Sequence, residues 1–209
     1  MKRILLGILA LGLLAGCSSE PPKTAGPVAK PAPAKPADDY KTGRVAFQKL
    51  LVTARAWAGD AQPFRLESQY TKGAPVAEGK AGVWRATFAS AQRASTKAYL
   101  WSGVAGEDAP ERGISPGLED TYNPMNPSTR PFDLNFLKID SDQAFKAAQE
   151  HGGKELLKKT PDQPVLFILD WDTRKNQLVW HVAYGDSRAD AKLTVAVNAS
   201  TGDFLRLEK

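Results

Sequence analysis

Apolar residues recur along this chain with two different periods. Phe47, Leu50, Leu51, Ala54 and Trp57 fall on one face at helical spacing. Gly59-Asp60 and then Pro63 end that run. Ala144, Phe145 and Ala148 form a second stripe that starts at Asp140 or Ser141. With Asp140 as the cap, Gln143 stands where a capping box needs it, and Gly152-Gly153 is expected to stop the helix. Elsewhere the period is two. Phe64, Leu66 and Tyr70 alternate with Arg65, Glu67 and Gln69. Trp84, Ala86 and Phe88 oppose Arg85 and Thr87, and Leu193, Val195 and Val197 oppose Lys192, Thr194 and Ala196. Such alternation puts one sheet face on a core and the other toward water. Helices followed by antiparallel strands predict an α+β fold, with the helix over the inner face.

The same order of elements occurs twice. Ala46-Phe47 matches Ala144-Phe145, Trp84 matches Trp180, and Phe88 matches Tyr184. Lys97 matches Lys192 after a one-residue slip. Each half is expected to hold a helix and three or four antiparallel strands, over residues 42–103 and 138–209. Between them, 104–137 is a Pro/Gly-rich connecting loop, either an inter-repeat linker or a functional flap. Its Ile114, Leu118, Tyr122, Met125 and Phe132 are available to pin it to a surface. Two strands raise a question of cover. Val165 to Leu169 is apolar on both parities. If Ala98 and Leu100 face the helix, Tyr99 and Trp101 face outward and form a candidate binding face. That cover is either internal, from the other repeat or the long loop, or a partner strand lying in a groove.

The N-terminus supplies an address. Met1-Lys2-Arg3 is a basic start, and Ile4 to Gly16 is apolar and too short to span a bilayer as a helix. Residues 1–16 therefore form a signal peptide. Its last residues with the next, Leu14-Ala15-Gly16-Cys17, resemble the lipobox of bacterial lipoproteins. The resemblance implies that Cys17, the chain's only cysteine, carries the lipid and becomes the new N-terminus. With two or three acyl chains that hold is lasting. Ser18, standing where an Asp commonly retains lipoproteins in the inner membrane, favours the outer membrane facing the periplasm. Residues 17–41 are a Pro/Ala/Lys-rich linker with six of the chain's 15 prolines between Glu20 and Asp39. Proline excludes helix and central strand there and favours an extended spacer. The formal charge is +5, and removing Lys2 and Arg3 with the leader lowers it further. Lysine and arginine form no stripe, so no nucleic-acid partner is expected.

A second resemblance lies in the folded part. "IDSDQAFKAAQ", "LVWHVAYG" and "LTVAVNASTGDFLRLE" together resemble the PepSY domain. The likeness covers about 138–207 and, more weakly, 44–103. Asn198 stands where the family usually has Asp, and Gly202 supplies its tight turn. The resemblance implies a cystatin-like sheet curled round a helix and a binding or inhibitory module, with no catalytic residue.

The chain's own chemistry is sparse. His151 lies at a helix end, and His181, between Trp180 and Val182, points away from the core; both are expected in solvated structural roles. Neither lies in a ligand spacing that a zinc site requires. Asp170-Trp171-Asp172 offers two carboxylates for a cation or for acid–base work, or simply ends a strand and opens the turn "DTRKNQ". No G-x-S-x-G elbow frames a serine. Neither a catalytic residue nor a cofactor is expected. The sequence favours a membrane-anchored, noncatalytic module for an envelope protein or peptide. A structural accessory subunit is the alternative, and a hydrolase with an unrecognised site is a weaker one.

Overall fold

The two apolar stripes form the two main helices of the computed structural model, which describes residues 37–208 apart from 75 and 107. The signal peptide, Cys17 and most of the linker lie outside the described residues. Helix α1 (Gly43–Trp57) buries Ala46, Phe47, Leu50 and Ala54. Helix α2 (Ser141–Ala148) buries Ala144 and Ala148 and starts with the complete Asp140–Gln143 capping box. Two short strands, β1 (Lys41–Thr42) and β3 (Lys80–Ala81), pair beside the start of α1.

The remaining strands form one antiparallel sheet. The first half supplies β2 (Gln62–Ser68), β4 (Val83–Ser90), β5 (Ser95–Ser102) and β6 (Gly113–Thr121). The second supplies β7 (Val165–Asp172), β8 (Gln177–Tyr184), β9 (Leu193–Asn198) and β10 (Phe204–Glu208). The order is β10-β9-β8-β7-β2-β4-β5-β6, so β2 and β7 join the halves, with Leu66 opposite Leu169. Each half thus contributes a helix and then four strands to an α+β fold. The described residues make one compact unit.

Both helices cover the same sheet face. Trp84, Phe88, Phe167, Trp180 and Tyr184 are fully buried between the layers. Trp84 and Trp180 meet edge-on with ring centroids 6.5 Å apart. Each indole also ties down the backbone just before its own half's helix. Trp84 Nε1 donates to the Lys41 carbonyl at 2.9 Å, and Trp180 Nε1 donates to that of Ile139 at 2.9 Å. The helix starts are tied across the halves as well. The Asp140 carboxylate accepts from the backbone N–H of Ser141 at 2.7 Å and of Arg44 at 2.8 Å. Ser141 Oγ accepts from the Gly43 N–H at 2.8 Å and donates to the Gly79 carbonyl at 2.6 Å. One short stretch therefore satisfies orphan donors at the start of both helices.

Two expectations change. The connecting loop 104–137 contains strand β6, nine residues long, at the sheet edge. Pro116 and Gly117 hid it, because an edge strand tolerates a missing N–H and a bulge falls beside Gly117. Of the loop's candidate pins, Phe132 is buried against Phe47, whereas Leu118 and Met125 are 94% and 85% exposed. Gly152-Gly153 does stop the helix as expected: His151 and Gly152 leave helical geometry, and a separate helix, α3 (Lys154–Lys159), follows the kink. Second, the two-sided strand β7 packs apolar residues of its outer face within its own half. Leu166 and Ile168 pack with Ala183 and with Ala191 of the β8–β9 connection.

Candidate functional site

The kink after α2 borders a hollow on the helical side. Gly152 takes φ +107°, a left-handed value that favours glycine. At Gly153 a Cβ would lie 1.9 Å from the Tyr184 hydroxyl, so only hydrogen fits. Gln149 Nε2 donates to the same hydroxyl at 2.7 Å, and burial raises the Tyr184 phenol well above its ordinary pKa. The kink is thereby pinned to β8. Beside it opens a groove of about 780 Å³, lined by Glu78, Lys80, Asp142, Phe145, Lys146, Gln149, Glu150 and the start of α3. Phe145 also lines a second hollow of about 430 Å³, with Tyr70, Val76, Leu157 and Pro164. The groove sets an apolar side chain, Phe145, among acidic residues (Glu78, Asp142, Glu150, Glu155) and basic ones (Lys80, Lys146, Lys154).

The opposite sheet face carries an ion cluster. His181 is 2% exposed, and both ring nitrogens meet a carboxylate. Nε2 is 3.1 Å from Asp170 Oδ1, and Nδ1 is 2.7 Å from Glu208 Oε2. Burial alone would lower the imidazole pKa, but the two carboxylates outweigh it and raise the value. Burial likewise opposes ionisation of Glu208, yet the His181 hydrogen bond and the Arg188 and Arg206 charges bring it down to about 2. Asp170 is lowered in the same way, chiefly by His181 against its own burial. Cross-strand register extends the cluster. Arg65 lies 3.8 Å from Asp170 and 2.7 Å from Glu67, which pairs with Arg85 at 3.0 Å. Arg206 reaches Asp172 at 3.0 Å and Glu208 at 2.7 Å.

The sequence-predicted site residues divide. Tyr99 and Trp101 do not face outward. They lie opposite Ala86 and Trp84, 4% and 6% exposed, inside the helix-covered core. The parity is the reverse of that expected, because β4 presents its large aromatics to the helix and its neighbour must follow. His181 points away from the helices as expected, but it is buried and ion-paired, not solvated. His151 stacks on Phe204 with centroids 3.8 Å apart. The Asp pair separates by role: Asp172 accepts the N–H groups of Arg174 and Lys175 and holds the turn, whereas Asp170 belongs to the His181 cluster. Asn198 holds its own turn as a neutral acceptor, with Oδ1 taking the N–H of Ser200 at 2.8 Å and of Thr201 at 3.2 Å. Among the described residues, no group of three or more His, Cys, Asp or Glu side chains could hold a metal.

Residues 1–18 match the family model of the prokaryotic membrane lipoprotein lipid attachment site. The matched segment contains the chain's single cysteine. The attachment-site match marks the chain as a membrane-anchored bacterial lipoprotein. Among the described residues no helix is long and apolar enough to cross a membrane. Among solved structures, the chain is similar in fold to the crystal structure of a protein described as a "putative lipoprotein" from Clostridium difficile 630. That likeness has a TM-score of 0.51 at 14% identity and covers 81% of this chain and 94% of the other. No curated protein matches the chain.

Proposed function

We propose that this lipoprotein is a noncatalytic protein- or peptide-binding module, held by a lipid on Cys17 to the outer membrane and facing the periplasm. In this reading its halves are tandem PepSY-like units. The matching Trp84 and Trp180 anchors before each helix support the pairing of the halves. The observation that carries the binding reading is the groove of about 780 Å³ at the bend, where Phe145 meets a rim of mixed charge. The groove now carries the reading that Tyr99 and Trp101 were expected to carry. Burial of those aromatics also removes the argument for their being covered by another subunit.

The test is selection from a displayed peptide library on the full-length lipidated protein in detergent. Glu150→Trp fills the groove from its exposed rim. The expected result is a set of enriched peptides whose affinity falls at least about tenfold in Glu150→Trp, the scale of one good contact. Absence of enrichment, or equal capture by the variant, contradicts the reading. Density-gradient separation of the two membranes tests the address: recovery with the inner membrane removes the outer-membrane assignment.

A further inference from the structure

Both histidines of the chain meet the terminal strand β10, one on each face. His151 stacks on Phe204 from the helix side, and His181 reaches Glu208 on the outer side. The strand is otherwise lightly held. None of its five described residues is buried, and its pairing with β9 shifts register between Phe204 and Arg206. Phe204 and Leu207, on the helix side, are 37% and 55% exposed. The outer side is where β10 is fastened. Glu208 contacts His181 at 2.7 Å and Arg188 at 3.0 Å, and Arg206 contacts Asp172 at 3.0 Å.

Of these contacts, the imidazole is the one that changes charge near neutrality. Asp170 of β7, Glu208 of β10 and Arg188 of the β8–β9 connection all face it. Arg65 of β2 stands behind Asp170, and Arg206 behind Glu208. The imidazolium donates to both carboxylates. A neutral ring has one N–H and one lone pair, so one carboxylate must lose its donor. Arg188 decides which. Its Nη2 lies 3.1 Å from His181 Nδ1 and can donate to a lone pair there, while Nε2–H stays on Asp170. Glu208 Oε2 is then an acceptor 2.7 Å from an acceptor, and it is the partner on the free edge of the sheet.

We propose that β10 is a detachable latch strand, closed by the His181 imidazolium and released when that ring loses its proton. Release uncovers the hydrogen-bonding edge of β9, the strand that carries buried Val195 and Val197. Such an edge is a template for another strand. The latch stands apart from the groove at the helix bend and does not depend on it.

Amide hydrogen exchange on the full-length lipidated protein in detergent tests this, with rates corrected to protection factors. Protection over residues 204–208 should fall about tenfold or more between about pH 5.5 and about pH 9, as expected for one lost charge-assisted hydrogen bond. Protection in β8 should hold across that range. In His181→Gln the β10 values should be low and flat. Glu208→Gln, a partly exposed change that leaves the core intact, should do the same and decides the matter if His181→Gln does not fold. Wild-type β10 protection that stays constant across the range would overturn the latch, as would an equal fall in Glu208→Gln.

Discussion

The two helices of this protein start alike and end differently. Helix α1 runs unbroken from Gly43 to Trp57, and its cap residue Ala58 closes the last turn with an N–H to the Ala54 carbonyl. The helix of the second half breaks in a kink at Gly152-Gly153, and a separate helix, α3, follows. Both rest on a sheet through a fully buried tryptophan, and both take orphan-donor satisfaction from Asp140 and Ser141. The difference lies in what the sheet offers at the helix end. Tyr184 lifts its hydroxyl against the backbone of the second helix, whereas Gly59, after the first, has no atom within 4 Å of a built Cβ. A common frame thus carries a groove of about 780 Å³ at the end of the second helix and one of about 550 Å³ beside Leu51, Arg55 and Phe132 in the first half.

Cutting the frame should cost both halves alike. Trp84→Ala and Trp180→Ala should each lower unfolding free energy by about 3 to 5 kcal/mol, measured by denaturant titration. A loss more than twice as large in one half would mean the tryptophans are not equivalent anchors. The two helix-end glycines should differ. Gly153→Ala forces a methyl into the Tyr184 hydroxyl and should destabilise by about 2 kcal/mol or more, whereas Gly59→Ala should change stability by about 0.5 kcal/mol or less. Equal effects would remove the account of the bend. Asp140→Ala removes a cap acceptor used by both helix starts and should lower stability by about 2 kcal/mol.

Fold and site were unequally legible in the sequence. The helical stripes, the capping box at Asp140 and the alternation in β4 and β9 are local patterns, and the chain follows them. The direction of Tyr99 and Trp101 is not local. A strand has two faces, and only the pairing of Trp101 with Trp84 decides which is inside. Strand β6 was masked by a proline and glycine that an edge accepts. The Gly-Gly stop was legible, but its close packing against the Tyr184 hydroxyl, over thirty residues away, was not. The His181 cluster gathers Asp170, Arg188, Arg206 and Glu208 from separate strands and a connection, so no motif announces it.

A further predicted effect separates the outer faces of the two halves by pH. The His181 pKa is raised, so its stabilisation is complete below the ordinary imidazole value near 6.5 and fades as pH climbs through the raised one. The Glu208 pKa is lowered to about 2, so its share is complete above the ordinary 4.5 and fades as pH falls toward 2. These are two ends of one interaction. Stability should therefore peak between those limits, and the alkaline decline of about 1 to 2 kcal/mol should vanish in His181→Gln. The first half's outer pair, Arg85 with Glu67, has no imidazole, and Arg85→Gln should leave the alkaline decline in place.

Photo-crosslinking in the native cells tests the binding account most directly. Glu150 on the groove rim and Val52 on α1 follow the matched Ala-Phe pairs at the same spacing, and Val52 is 72% exposed. With a photoreactive residue at each position in turn, the account predicts a discrete heavier adduct from position 150 and none from position 52. The same adducts from both positions, or none from position 150, would contradict it.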